Sequence, residues 1–223
     1  MRPDTQLKKV SKQHTVYKTA DGKRVPGVTT ILGVLAKPAL IAWANRLGLE
    51  GIDSTRYTDK CANIGTLAHY LVMCHLKKVE PDAEYLREFS QLDMDIAENS
   101  ILSFLEWEKH HTIELIDCEL PLVHEELLYG GTSDIYAKVD GVKSLVDLKT
   151  GSGIYDEHYY QIASYRLLRL SHGYPVDKCI ILNIPRQETE EFQYKEYTNF
   201  ELGEKIFLHC HGIYNLQKEK RGY

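Results

Sequence analysis

The chain has no long apolar run, no paired cysteines and no surplus of positive charge, and each absence narrows what it can be. No stretch of about 18 apolar residues is present, so no membrane-spanning helix is expected. The N-terminal "MRPDTQLKKVSKQHT" also lacks the apolar core of a secretory signal, and a cytoplasmic setting is the expectation. The five cysteines, Cys61, Cys74, Cys118, Cys179 and Cys210, are widely spaced with no C-x-x-C pair. That argues against a disulfide framework, a zinc ribbon or a cysteine-bound iron–sulfur cluster, and leaves reduced core residues. A formal net charge of −5 is the opposite of the positive field of a sequence-tolerant nucleic-acid coat, so any contact with a polyanion must be local. Internal repeats, low-complexity tracts and long linkers are missing too.

What is there suffices for one sizeable core: 223 residues, of which 43% are hydrophobic. One domain over 1–223 is expected, with a mainly helical front part (1–110) and a sheet-containing part (111–223). The fifteen tyrosines suit half-buried strands and helix faces and could also stack on bases. "HTVYKTADGKRVPGVTTIL" predicts two short strands around an Asp21-Gly22 turn, followed by a helix over Pro38 to Leu49. A second helix is expected from near Cys61, with Ile64, Leu67, Ala68, Leu71, Val72 and Leu76 at helical spacing and His69 on it. A third is expected over Glu84 to His110. Beyond His111 the texture turns strand-like in "TIELIDCELPLVH", "DKCIILNIP" and "EFQYKEYT". "DEHYYQIASYRLLRLSHG" reads as a helix stopped by Gly173, and a last helix covers about Glu201 to Lys218.

The most informative stretch is "GGTSDIYAKVDGVKSLVDLKT", a hairpin about Asp140-Gly141. A two-residue turn there sets Asp134 directly opposite Asp147. Side chains alternate, so Asp134, Tyr136, Lys138, Asp147 and Lys149 share one face, and Ile135, Ala137, Val139, Val146 and Leu148 the other. Two carboxylates opposed at about 5 Å destabilise a hairpin unless one is protonated or a cation lies between them. Oxygen ligands favour a hard ion such as Mg²⁺ or Mn²⁺, and Lys149 on the same face would reach a bound water or phosphate. The plainer alternative is a solvated face on which Lys138 and Lys149 pair with the acids.

"GGTSDI", "LVDLKTG" and "QIASY", preceded by "IGTLAHYLV", resemble the signature of RecB-type nucleases in the PD-(D/E)XK superfamily, which includes phage and mitochondrial-maintenance exonucleases. The pieces span roughly 100 residues in the family's order. The resemblance implies an α/β (α+β) restriction-endonuclease-like core, a mixed central sheet flanked by helices with a helical N-terminal half. It implies a Mg²⁺- or Mn²⁺-dependent deoxyribonuclease, an exonuclease of phage or bacterial recombination or repair. A structure-selective or restriction-like endonuclease and a catalytically silent nucleic-acid-binding protein are the alternatives. By the same resemblance, Asp134, Asp147, the Leu148 carbonyl and His69 would hold the metal, and Lys149 would be catalytic, working on the water or the phosphate. Glu119 would align a second metal or the water, its alternative being a surface glutamate at a strand end. Gln161 and Tyr165, four apart on one helix face, would meet the DNA backbone, brace the site or form a buried polar pair. Thr150 and the glycines of "TGSG" would offer donors to a phosphate. Arg56, Lys60, Lys138, Arg166 and Arg169 are candidates for a basic rim. DNA, single-stranded or with free ends, is the expected partner, with recombination or replication proteins and self-assembly left open and no membrane partner. The four-cysteine set of iron–sulfur relatives is absent, as is a Walker A motif, so a helicase would be a separate chain.

Overall fold

A computed structural model describes residues 15–187 and 190–222. The N-terminal stretch read above for an export signal lies almost wholly outside them. The described chain opens with a small hairpin, β1 (Tyr17–Lys18) and β2 (Arg24–Val25), about the expected Asp-Gly turn. The helices α1 (Val28–Leu32), α2 (Pro38–Leu49), α3 (Ser54–Lys77), α4 (Ala83–Leu86) and α5 (Gln91–Glu108) follow. Two expectations are corrected here. The second helix begins at Ser54, about two turns before Cys61, because the Asp53 carboxylate accepts from the backbone N–H groups of Thr55 and Arg56 and caps it there. The expected Glu84–His110 helix is two helices, since Ser90 accepts from the Asp93 N–H and starts a new one. The short α1 was not anticipated.

The second half follows the expected order: β3 (Ile113–His124), β4 (Tyr129–Val139), β5 (Val142–Lys149), α6 (Asp156–Ser171), β6 (Lys178–Asn183), β7 (Gln193–Tyr197) and α7 (Glu201–Lys220). These strands form one five-stranded mixed sheet in the order β3-β4-β5-β6-β7, parallel between β5 and β6 and antiparallel elsewhere. Helix α6 supplies the crossover that a parallel pair requires. Asp140 and Gly141 both take positive φ, 52° and 80°, as a two-residue turn of this hand demands, and Val139 pairs with Val142. The register is the one the sequence predicts.

Both sheet faces are covered. Ile135, Ala137, Val139, Val146 and Leu148 pack against Val72 and Met73 of α3 and Phe104 and Trp107 of α5. The opposite face, carrying Tyr136 and Leu145, packs against Ile162, Tyr165 and Leu168 of α6 and Phe207 of α7. The face read as polar is therefore solvated only toward its ends, and Tyr136 is buried in its middle. Among the described residues, no helix is long and apolar enough to cross a membrane.

Candidate active site

Strands β4 and β5 stay paired from the turn as far as Ile135 and Val146, and pairing stops one step short of Asp134 and Asp147. There the Leu148 N–H donates to Asp134 Oδ2 at 2.8 Å, so a carboxylate takes the place of a strand carbonyl. The parting strands make room for acids that would otherwise collide. Asp147 remains on β5 beside Ile181 of β6 and is only 3% exposed.

Helix α3 closes one side of this gap. A Cβ on Gly65 would lie 2.5 Å from Thr150 Oγ1, so with the threonine in this rotamer the close approach of the helix to the end of β5 needs glycine. One turn later on the same face, His69 Nδ1 comes within 3.7 Å of Asp134 Oδ1. The Gly-Thr-x-x-His spacing is thus a docking residue followed by a site residue. Helix α6 closes the other side: Lys149 Nζ donates to Gln161 Oε1 at 3.0 Å, and Gln161 Nε2 donates to the Tyr165 hydroxyl at 2.8 Å.

Lys149 Nζ also lies 2.6 Å from Asp147 Oδ2. The contact is a close ion pair, and no other described group bonds to this buried oxygen. Burial pushes the Asp147 carboxyl up to about 6; the Lys149 ammonium opposes that shift and the Asp134 charge adds to it. Asp134 goes the other way. Its burial favours the neutral acid, but His69, Lys149 and the Leu148 N–H together hold its carboxyl below the usual range. Burial works against a charged His69 as well, yet the Asp134 carboxylate leaves its pKa raised. Two acids a strand apart therefore have their affinities for protons driven in opposite directions.

Glu119 sits between Cys118 and Leu120, whose partners Ile135 and Ser133 bracket Asp134, so it faces that strand position from β3. It takes a left-handed φ of 53°, unusual for a glutamate in a strand, downstream of an irregularity between Leu115 and Asp117. The residue as a whole is exposed, but protein around its carboxyl, and then the Asp134 charge, raise its pKa. The loop after β5 is tied down by Asn183, which accepts from the Gly151 N–H and donates to the Gly151 carbonyl.

Two basic-rim candidates, Arg166 and Arg169, are placed otherwise, while Tyr165 takes the bracing, buried-pair arrangement among its alternatives. Tyr165, 6% exposed, braces Gln161 from within the core. Arg166 turns to α7, where Nη1 pairs with Glu204 Oε1 at 2.5 Å and the guanidinium stacks 4.2 Å from the Phe200 ring centre. Arg169 is fully buried, bidentate to Asp117 at 2.6 and 2.7 Å, with Ser133 and the Tyr136 ring as further partners. Long cations on α6 serve the core because β3 and α7 bring acids to them. Of the remaining rim candidates, Lys60 pairs with Asp93, Lys138 with Glu114, and Arg56 stays open to solvent near Asp53.

Among the described residues, no three His, Cys, Asp or Glu side chains are gathered as a ready metal cage. The Asp147 carboxylate, partnered at Oδ2 by the Lys149 ammonium, the Asp134 carboxylate and the nearby His69 imidazole nevertheless form a donor set that suits a hard divalent ion. His158, one turn before Gln161 on α6, was not singled out in the sequence; its Nδ1 accepts from the Tyr155 N–H.

No protein-family profile and no curated protein matches the chain. Some solved structures are similar at a low level. They include SSO0001, at 13% identity over 64% of this chain and 83% of that one, with a TM-score of 0.29. LHK-Exo in complex with dAMP matches at 10% identity over 73% and 91%, with a TM-score of 0.33. The alkaline exonuclease LHK-Exo from Laribacter hongkongensis matches at 11% identity over 70% and 83%, with a TM-score of 0.31.

Proposed function

We propose that the chain is a divalent-metal-dependent nuclease that hydrolyses DNA phosphodiester bonds, and that it works from strand ends as an exonuclease. The observation that supports this best is the convergence of Asp134, Asp147 and Lys149 where β4 and β5 part, between His69 on α3 and Gln161 on α6. Asp134 and Asp147 would hold the ion, with His69 and the Leu148 carbonyl as further ligands and Glu119 at the outer side. When bound, Mg²⁺ or Mn²⁺ supplies charge neutralisation for the phosphate and an acidified water. The chain's own residues do the rest. The Leu148 N–H fixes the orientation of the Asp134 carboxylate. Gln161 fixes the Lys149 ammonium, itself braced by Tyr165, so that the cation is held where negative charge builds on the phosphate. Because the ammonium already contacts Asp147, substrate need only draw it a short way.

Labelled linear and circular DNA, single- and double-stranded, incubated with Mg²⁺ and with EDTA tests the reading. Loss of linear substrate from its ends, with circles intact and EDTA inhibiting, is expected. Cutting of circles would make the chain an endonuclease; no cutting of any substrate would leave a binding protein and overturn the proposal.

A further inference from the structure

We infer that His158 is a substrate-contacting residue of this site, donating a hydrogen bond from Nε2 to a DNA phosphate oxygen beside Lys149. The inference rests on the nuclease reading and adds a residue to it.

His158 and Gln161 are three apart on α6 and so lie on one face, the face from which Gln161 receives the Lys149 ammonium. The Tyr155 backbone N–H donates to His158 Nδ1 at 3.2 Å. That bond consumes one ring nitrogen as an acceptor and so fixes the proton of the neutral ring on the other. The Tyr155 ring stands edge-on at 5.5 Å and limits rotation. Nε2–H makes no hydrogen bond to any described residue, although the ring is half-buried. Burial, and then the charges of Lys149 and Lys37, bring the imidazole down to about 3, so it stays uncharged at any pH at which DNA is handled. Lys37 is itself held by Glu157, next along the helix.

A donor of fixed tautomer, one helical turn from the glutamine that holds the Lys149 ammonium and without a described protein partner, suits an anionic oxygen. A third cation there would repel Lys149 and Lys37; a neutral imidazole adds a directed bond without that cost.

The test compares wild type with His158→Ala and His158→Gln on a linear DNA substrate with Mg²⁺ at pH 8. Glutamine keeps an acceptor for the Tyr155 N–H and a donor for phosphate. We expect H158A to raise KM about tenfold, on the scale of one charge-assisted hydrogen bond, with kcat changed less, and H158Q to recover most of the loss. Melting temperatures measured alongside separate this from damage to the helix. If H158A does not fold, His158→Met, whose thioether is a weak neutral acceptor without a donor, replaces it in the comparison, with the same rise in KM expected. Wild-type KM in the donor-less variant, or H158Q as impaired as that variant at an unchanged melting temperature, overturns the inference while the nuclease reading stands. A wild-type chain that neither cuts nor binds DNA overturns both.

Discussion

At the scale of single residues, the site separates roles that the sequence had left joined. Lys149 contacts Asp147 and Gln161 and so competes with any cation for the carboxylate. Lys149→Ala is therefore expected to bind Mn²⁺ at least as tightly as wild type by calorimetry while cleavage falls about a hundredfold or more, the loss typical of a charge-stabilising group. Metal affinity and activity collapsing together would contradict that role. Asp147 carries a signature of its own in the metal-free protein. Folding raises its carboxyl from 3.8 to about 6, so between about pH 4 and about pH 6 the folded chain keeps a proton that the unfolded chain has lost. Stability contributed at this position is present at low pH and is lost as pH rises through about 6. Asp147→Asn removes that slope. With EDTA present, urea unfolding should show the variant more stable than wild type at pH 8, by a few kcal/mol at most on a scale of about 1.4 kcal/mol per unit, and less so at pH 4. Cleavage should be abolished.

At the scale of elements, the approach of α3 to the end of β5 decides whether His69 reaches Asp134. Gly65→Ala places a methyl against Thr150 Oγ1, and either the stiff threonine rotates or the helix withdraws. We expect activity to fall at least tenfold. The double variant Gly65→Ala/Thr150→Ala should recover much of it, because the hydroxyl that blocks the methyl is gone. It should also gain up to about 1 kcal/mol in stability from the better helix former. Failure of the double variant to improve on the single one would show that Thr150 has a role beyond spacing. Helix α6 is tied to β3 by the Arg169–Asp117 pair, and Arg169 is fully buried. Arg169→Ala empties a buried site beside Tyr136 and Ser133 and takes the partner from Asp117, a quarter exposed, and should cost about 2 kcal/mol or more in urea unfolding.

For the whole molecule, the question is how a chain of net charge −5 would hold a polyanion. With Arg166 and Arg169 committed to the core, the cations left toward solvent among the rim candidates are Arg56, Lys60 and Lys138. Their number sets the expectation: DNA affinity between about 50 and 200 mM salt should fall with a slope worth about two to three phosphate contacts. Arg166→Glu should lower the melting temperature by setting a carboxylate against Glu204 and leave the slope unchanged. A slope of six or more phosphates, the range of extensive phosphate contact, would mean a basic surface that these residues do not account for.

The hairpin shows how far the sequence reaches. Alternation along "TSDIYAKV" and "VKSLVDLK" and the Asp140-Gly141 turn sufficed for the register as far as Ile135 and Val146, one step short of Asp134 and Asp147, because strand register is fixed by turn chemistry and a period of two. The helical repeat likewise put His69 and Gln161 on helices. Helix starts were less legible: Asp53 and Ser90 cap through short side chains whose signal the surrounding pattern masks. Only the tertiary structure decided that Tyr165 is buried, that Arg166 and Arg169 turn to Glu204 and Asp117, that the acids titrate apart, and that His158 spends one ring nitrogen on the Tyr155 N–H. Periodicity is local and is written in consecutive residues. The partners of long polar side chains and the desolvation of an acid depend on which distant elements pack against them, and no run of consecutive residues records that.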